Sequence, residues 1–283
     1  MGQAIPETTA TKSFGPVQVV HPRAKHTHTI VLIHGRGSTA EEFAEELSES
    51  TLSSGKALQE VFPGWKWVFP SSKEPWSTTF QEFMPAWFEA QSLADPTMRQ
   101  DLQIEGIRDS VSHVNELIEK ELKLLGGKAE NMVLGGISQG GAIALWTLLC
   151  RCKTNRKRLG AFVGASTWLP FAGNIRNLLS QRTGPQSGSS VFDLFVKDMM
   201  EPAQHGPARK ISKECLETPV FMGHGADDAY VDIELGREAK EILSEAGFSV
   251  SWKEYTGAEE EGHWLKVPEE IDDIEEFLTR IDT

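Results

Sequence analysis

The sequence predicts an α/β fold, with a mostly parallel central sheet and helices on both of its faces. The first strong strand, TIVLI at residues 29–33, contains only apolar or β-branched residues, which is typical of a parallel strand buried on both faces. Segments of this kind alternate with segments of helical periodicity, as they do when helices cover a parallel sheet. The chain has 283 residues, of which 39% are hydrophobic and 24% charged, so it is long enough for one large domain of this class.

The predicted elements follow from apolar spacing and from turn residues. The clearest helix is the one in which apolar side chains recur every three or four positions over residues 101–125. The other predicted helices comprise residues 141–149, residues 268–281 and a segment after the first strand that carries Phe43, Leu47 and Leu52. The predicted strands comprise residues 29–33, 67–69, 132–135, 159–165, 219–223 and 248–255.

The domain organisation is predicted to be simple. A loose polar arm at residues 1–16 precedes a single domain at residues 17–283. The composition changes once, at residues 172–216, where Gly, Ser, Gln and Pro surround the apolar run VFDLFVKDMM. We interpret residues 172–216 as an insertion in this domain and not as a second domain.

The charge and cysteine content exclude several classes of protein. A formal net charge of −13 argues against nucleic-acid binding, which needs a basic surface. No apolar run reaches the roughly 18–20 residues of a transmembrane helix, and the N-terminus lacks the features of a secretory signal. Cys150, Cys152 and Cys215 lack the spacing of a zinc site and fit a reducing compartment. The sequence therefore predicts a cytoplasmic protein.

The run GGISQGGA at residues 135–142 places Ser138 in a G-x-S-x-G motif between a predicted strand and a predicted helix. A sharp turn in this setting exposes the serine Oγ above the carboxyl end of the strand. Side chains at Gly136 and Gly140 are expected to clash across such a turn. The N–H groups at the start of the following helix favour developing negative charge. Ser138 is therefore the predicted nucleophile.

A serine nucleophile needs a base, and the base needs an orienting acid. In this architecture both follow the serine in the order acid, then histidine, each just beyond a strand. His263 is the predicted base, because it follows the last predicted strand and no other histidine follows His224. His224 itself lies at a strand end and is expected to bond to the backbone. Asp227, Asp228 and Asp232 are all candidates for the acid.

Two backbone N–H groups are expected to stabilise the oxyanion of the reaction. One belongs to Gln139, the residue after the nucleophile. The other belongs to the loop after an early strand, and the glycine-rich HGRGS at residues 34–38 is that loop. Arg36 is the predicted second donor.

Together these segments resemble the acyl-protein thioesterase family, also called the phospholipase/carboxylesterase family, of the α/β-hydrolases. The resemblance extends from about Thr29 to the C-terminus. It depends on LIHGRGS, on FPSS with the later PAWFE, on QIEGIRDSVSHVNELIEKEL, on GGISQGGA, on HGADDAYV and on GHW. The family's acid lies in a Gly-x-x-Asp-x-x-Val turn, and this favours Asp228. Its nucleophile, base and oxyanion donors correspond to Ser138, His263, Arg36 and Gln139.

The resemblance also implies a substrate class. Such proteins are small cytosolic serine hydrolases that cleave acyl thioesters on proteins, lysophospholipids or small esters, without a metal or an organic cofactor. Two departures concern the specificity, because the family usually has an apolar residue where Arg36 stands and a shorter connection at residues 172–216. The Arg36 side chain is expected either to pair with a carboxylate of this chain or to bind an anionic group of the substrate. VFDLFVKDMM is expected to be either a lid over the acyl chain or a packed surface helix.

Aromatic residues are dense near the predicted site, and four of them are predicted to contact substrate: Trp76, Trp87, Trp168 and Trp264. Two other functions remain open from the sequence. One is a small-molecule carboxylesterase or lactonase of a specialised pathway, which uses the same residues. The other is a ligand-binding protein without activity, although no element of the predicted machinery is missing. The sequence leaves the oligomeric state undetermined.

Overall fold

The structure is a computed structural model, and it describes residues 13–92, 95–153, 157–180, 190–200 and 212–281. The strands are β1 (Val17–Val20), β2 (His28–Ile33), β3 (Trp65–Pro70), β4 (Trp76–Ser77), β5 (Glu82–Phe83), β6 (Met132–Ile137), β7 (Ala161–Ala165), β8 (Val220–Gly225) and β9 (Val250–Tyr255). The α-helices are α1 (Ala40–Glu49), α2 (Leu58–Val61), α3 (Gln103–Leu124), α4 (Ser138–Lys153), α5 (Ala172–Leu179), α6 (Val191–Met200), α7 (Lys213–Leu216), α8 (Ile233–Ala246) and α9 (Glu269–Thr279).

The centre of the described chain is a seven-stranded sheet in the order β1-β3-β2-β6-β7-β8-β9. Strand β1 is antiparallel to β3, and every other neighbouring pair is parallel. Parallel pairing brings the carboxyl ends of β2, β6, β8 and β9 to one edge of the sheet. The loops that carry the predicted site therefore begin at that edge.

Each face of the sheet is covered by helices because its strands are apolar on both sides. Ile33 of β2 packs in the core under α3, α4 and α8, whereas its neighbour Leu32 packs under α1 and α9. Helix α4 is apolar on all sides and is enclosed, as expected of a helix in the core of a large domain. The predicted mostly parallel sheet with helices on both faces is confirmed.

Some elements were not predicted from the sequence. Strand β1 is short and half-exposed at the sheet edge, so it carries no continuous apolar run. Helix α8 has its buried residues on one narrow stripe among charged residues. Strands β4 and β5 form a two-stranded hairpin within the long aromatic connection. Because these elements are stabilised mainly by tertiary contacts, the local sequence pattern gives only a weak signal for them.

The ends of the predicted arm and insertion are packed against the domain. Phe14 stacks on His113 with ring centroids 3.9 Å apart, so the chain is attached to the domain before residue 17, and residues 1–12 lie outside the described residues. In the insertion, α6 buries Phe195 against Trp146 of α4. The run VFDLFVKDMM is therefore a packed helix with Leu194 on its exposed side. The segments that flank it, 181–189 and 201–211, lie outside the described residues, so a lid stays a prediction.

The cysteines differ from the expectation of a reducing compartment. Cys152, in the last turn of α4, forms a disulfide with Cys215 of α7, and the Cα atoms of the two residues are 5.1 Å apart. Cys150 is buried outside any disulfide, and its thiol donates to the Met199 carbonyl oxygen at 3.4 Å. The 63-residue separation of the paired cysteines conceals this pairing in the sequence, because the sheet topology brings α4 and α7 together.

Candidate active site

Ser138 lies at the junction of β6 and α4 in a left-handed backbone conformation, with φ of 53°. A non-glycine residue with this φ is strained, and such strain is typical of functional sites. A Cβ atom on Gly136 would lie 2.7 Å from the Ile33 carbonyl oxygen, and one on Gly140 would collide with the same oxygen. The sequence argument for glycine at both positions is therefore confirmed: only glycine allows β2 to approach this turn so closely.

Asp228 and His263 are joined by a hydrogen bond of 2.8 Å between Oδ2 and Nδ1. The other carboxylate oxygen of Asp228 accepts the backbone N–H groups of Tyr230 and Val231, each at 2.9 Å. The loop that carries His263 packs directly on the turn that carries Asp228, since a Cβ on Gly262 would lie 2.9 Å from the Asp228 nitrogen. Three fixed contacts thus orient the carboxylate toward the imidazole.

The carboxylate of Asp228 is held in its charged form although its side chain has no exposed surface. Burial by itself would raise its pKa, but hydrogen bonds from His224, His263 and Val231 lower the pKa below its ordinary value. His224 Nε2 lies 2.9 Å from the Val231 carbonyl oxygen, as expected of a strand-end histidine bonded to backbone. The same nitrogen lies 3.5 Å from Asp228 Oδ2, and this contact with the acid was missed at the sequence level.

The two other candidate acids have different partners. Asp227 accepts the N–H of Gly257 at 2.8 Å. Asp232 caps helix α8 by accepting the N–H of Glu234 at 2.9 Å. Of the three carboxylates that the sequence left open, Asp228 is the one that contacts His263.

The Ser138 turn and the His263 loop meet at the same edge of the sheet. Ile137, the residue before the serine, and Leu265, two residues after the histidine, line one small apolar cavity of about 30 Å³. Trp264 packs edge-on against Phe43 of α1 and so holds the histidine loop down on this face of the sheet. The two segments therefore pack against the same small cavity, while no hydrogen bond joins the Ser138 side chain to His263 in the described structure.

The predicted oxyanion donors lie on either side of Ser138. A Cβ on Gly35 would lie 3.4 Å from Cβ of Ser138, so the loop after β2 passes beside the serine. The backbone N–H groups of Arg36 and Gln139 have no hydrogen-bond partner in the part of the chain that the structure describes. Gln139 is in the first turn of α4, where backbone N–H groups lack intrahelical acceptors. Both groups are therefore free to bind a ligand oxygen.

The Arg36 side chain forms no ion pair with a carboxylate of the described chain, so the first of its two expected roles is wrong and the second stays a prediction. Its guanidinium donates to Ser77 Oγ at 2.9 Å and to the Ala90 carbonyl at 3.1 Å, and it lies over the Phe80 ring at 5.1 Å. Partial burial lowers the pKa of Arg36, and the charge of Glu89 opposes that shift. Arg36 therefore fastens the β4–β5 hairpin to the oxyanion loop.

Three of the four tryptophans predicted to contact substrate are buried: Trp87 is 2% exposed, Trp168 3% and Trp264 9%. Rings with so little accessible surface belong to the core, and Trp76 is the half-buried exception. Two exposed aromatic residues lie near the site, of which Phe80 belongs to the predicted aromatic connection and Tyr230 was missed. Phe80 covers Arg36, and the Tyr230 ring lies 5.4 Å from the His263 ring. The only sequence signal for Tyr230 is its place directly after the acid turn.

The described residues contain no cluster of three or more His, Cys, Asp or Glu side chains that could hold a metal ion. They also contain no helix that is long and apolar enough to cross a membrane.

Solved structures with this fold include an acyl-protein thioesterase. The crystal structure of Zea mays acyl-protein thioesterase 2 superimposes with a TM-score of 0.63 and 26% identity, over 94% of this chain and 99% of that one. The crystal structure of Arabidopsis thaliana SOBER1 has a TM-score of 0.66 at 23% identity, over 91% of this chain and all of that one, and so supports the fold alone.

Sequence comparison supports the same assignment. The phospholipase/carboxylesterase family model matches residues 15–210. Acyl-protein thioesterase 1 of Gibberella zeae is 32% identical over 93% of this chain and 94% of its own length. Acyl-protein thioesterase 1 of Neurospora crassa is 30% identical over 93% of this chain and 91% of its own length. The chain therefore belongs to the phospholipase/carboxylesterase family of α/β-hydrolases and is a carboxylic ester or thioester hydrolase.

Proposed function

We propose that the protein is a serine hydrolase in which Ser138 is the nucleophile, His263 the base and Asp228 the orienting acid. The observation that carries the proposal is the 2.8 Å hydrogen bond between Asp228 and His263, at the same sheet edge as the strained Ser138 turn. A strained serine, a histidine and a buried carboxylate on the loops after β6, β9 and β8 have the chain order expected of this fold.

The protonation states support these roles. Because Asp228 is held as a carboxylate, it accepts the hydrogen of His263 Nδ1. The neutral imidazole then has its lone pair on Nε2, which is the nitrogen available to take the Ser138 proton. When the imidazolium forms, the Asp228 charge stabilises it without itself taking the proton.

The proposed cycle has two acyl-transfer steps. Ser138 Oγ attacks the substrate carbonyl carbon while His263 takes the serine proton, and the N–H groups of Arg36 and Gln139 bind the oxyanion. His263 then protonates the leaving thiolate or alkoxide, and an acyl-enzyme forms. Water activated by His263 attacks this ester, the carboxylic acid leaves, and the proton returns to Ser138.

The substrates we propose are S-acylated proteins or lysophospholipids. Relatives named acyl-protein thioesterase, which align over most of this chain, support the first of these classes. A small-molecule carboxylesterase or lactonase is the second candidate. Arg36 and the insertion at residues 172–216 differ from the family pattern, and both are expected to lie near the acyl pocket. An inactive ligand-binding protein is the third candidate, and it is distinguished from both hydrolases by its lack of a reactive serine.

Labelling with a fluorophosphonate probe tests the nucleophile. We expect the intact protein to be labelled and Ser138→Ala to remain unlabelled, because the probe reacts with an activated serine. Absence of labelling on the intact protein would favour a ligand-binding protein, and labelling of Ser138→Ala would assign the nucleophile to another residue.

A panel of thioesters and oxygen esters from acetyl to palmitoyl tests the substrate class. We expect kcat/KM to rise with chain length, because each buried methylene contributes about 0.8 kcal/mol. A profile that is flat or falls with length would support the small-molecule esterase instead. Arg36→Leu, assayed on anionic and neutral esters, tests whether the guanidinium selects the substrate charge. An equal change of kcat/KM on anionic and neutral esters would mean that Arg36 only positions the loop and does not select substrate charge.

A cytoplasmic location is also part of the proposal. Disulfides are rare in the cytosol, whereas the structure pairs Cys152 with Cys215. Thiol alkylation in fresh cell extracts, read by mass spectrometry, therefore tests the location. Complete alkylation of both cysteines supports the cytoplasm, and an intact disulfide contradicts it.

A further inference from the structure

Residues 85–90, which we call the strap, lie between the two proposed oxyanion donors and are bonded to both. On one side, the Gln139 side chain accepts the Trp87 N–H at 2.8 Å and donates to the Phe88 carbonyl at 2.8 Å. Gln139 has no exposed surface, and both ends of its amide are used in these bonds. The side chain of the donor residue therefore has a structural partner of its own.

On the other side, the strap is bonded to the loop after β2. The Gly37 N–H donates to the Pro85 carbonyl at 2.8 Å, and the Trp87 indole N–H donates to the His34 carbonyl at 2.9 Å. The guanidinium of Arg36 reaches Ala90 at the far end of the strap. Bonds to His34, Arg36 and Gly37 thus bracket the predicted donor N–H of Arg36.

His34 makes this side of the loop rigid. Its Nε2 accepts the N–H of Ser72 at 3.1 Å, so its hydrogen must be on Nδ1, which lies 2.6 Å from the Gly35 carbonyl. Burial lowers the pKa of His34 to about 4, and the imidazole therefore keeps this neutral form at ordinary pH. The residue that receives the Trp87 indole bond is itself fixed on two sides.

We propose that the strap is the positioning element of the oxyanion hole, acting through the Gln139 amide and the Trp87 indole. The two donor N–H groups belong to separate segments, one after β2 and one at the start of α4. Stabilisation of an oxyanion depends on donors held about 2.7–3.1 Å from one point. The strap joins the two segments by hydrogen bonds and so sets the distance between the donors. Trp87 is a positioning residue here and does not contact substrate.

This inference rests on the proposed function, and Trp87→Phe is its sharpest test. The substitution keeps a buried aromatic ring and removes the bond to His34. Trp146→Phe is the matched control, since Trp146 is equally buried and donates its indole N–H to the Pro170 carbonyl at 3.2 Å, away from the strap. Gln139→Met is a second variant, which removes both amide bonds and leaves the Gln139 backbone N–H in place.

The expected result is a loss of kcat with little change in KM, because the oxyanion forms after the substrate binds. We expect kcat to fall about tenfold in Trp87→Phe and at most about a hundredfold in Gln139→Met, which is no more than the smallest cost of deleting a donor. The affinity for a trifluoromethyl ketone, which forms an oxyanion adduct with a serine, should fall in parallel. Trp146→Phe should remain within about twofold of the unsubstituted protein in both measurements.

Two outcomes would overturn the strap proposal. One is an equal effect of Trp87→Phe and Trp146→Phe on kcat and on ketone affinity, which would mean that any buried indole has this effect. The other is an increase of KM at unchanged kcat in Trp87→Phe, which would make Trp87 a substrate contact. Activity retained in Ser138→Ala would instead overturn the proposed function, and the strap proposal with it.

Discussion

Two buried carboxylates, Asp228 after β8 and Glu270 in the first turn of α9, have opposite electrostatic properties. The side chain of Asp228 has no exposed surface, and Glu270 is 2% exposed. Asp228 contacts His224, His263 and two backbone N–H groups, and its pKa is lowered below the ordinary value. Glu270 Oε2 accepts one N–H, from Lys266 at 3.0 Å, and burial raises its pKa to about 8.

The comparison shows that burial alone does not decide the charge of an acid in this fold. A desolvated carboxylate loses the stabilisation of water, and only hydrogen-bond donors or positive charge can replace it. Glu270 Oε1 is buried without a partner among the described residues, so the protonated form is favoured. Asp228 has donors for both oxygens and remains ionised, as its proposed role in orienting His263 requires.

The largest expected effect is that of Asp228→Asn. An amide can donate a hydrogen to His263 Nδ1 and so favours the wrong imidazole tautomer, which should lower kcat by about 10³- to 10⁴-fold. Steady-state hydrolysis of an activated ester measures this loss, and circular dichroism checks that the fold is retained. A loss smaller than about tenfold would show that the carboxylate has no essential role.

The next effect concerns the contact of His224 with Asp228. His224→Leu removes a donor from a buried carboxylate, which should lower kcat by about ten- to a hundredfold. His224→Gln keeps an N–H donor near the position of Nε2 and should recover most of this loss. Equal kcat values for the two variants would show that the histidine acts only through packing.

Glu270→Gln should change the pH dependence of stability and leave kcat unaltered. The folded-state pKa of Glu270, about 8, is above its ordinary value of 4.5. The folded protein therefore binds this proton more tightly, and its contribution to stability is lost as pH rises from 4.5 to 8. The maximal slope is about 1.4 kcal/mol per pH unit.

Urea unfolding at several pH values measures this dependence. Glutamine resembles the protonated acid, so Glu270→Gln should be more stable than the unsubstituted protein at pH 8 and similar to it at pH 5. Glu269→Gln, at the exposed neighbouring position, is the control and should keep the slope of the unsubstituted protein. A parallel shift of the curve at all pH values would contradict the assignment of the slope to Glu270.

The smallest effect is expected at Asp227, next to the proposed acid. Asp227→Ala removes the exposed hydrogen bond to Gly257, so the free energy of unfolding should fall by about 1 kcal/mol or less. We expect kcat to change less than about twofold, because no contact links Asp227 to His263 in the described structure. A large loss of kcat here would reopen the choice of acid.

The sequence by itself determined the class of sheet and the place of the proposed nucleophile. Strand β6, the Ser138 turn and helix α4 follow one another without a break, so the local sequence pattern contains the whole strand–turn–helix motif. The order of acid and base is also readable, since each follows its own strand. These features depend on neighbours along the chain, which a single sequence reports directly.

Only the tertiary structure decided which aspartate contacts His263 and what surrounds the site. Asp227, Asp228 and Asp232 occupy one short segment, and they differ only in the partners to which the folded chain brings them. The burial of Trp87, its bond to His34 and the Cys152–Cys215 pairing likewise join segments that are far apart in sequence. Such contacts depend on sheet order and helix packing, and a local pattern of residue types contains no record of either.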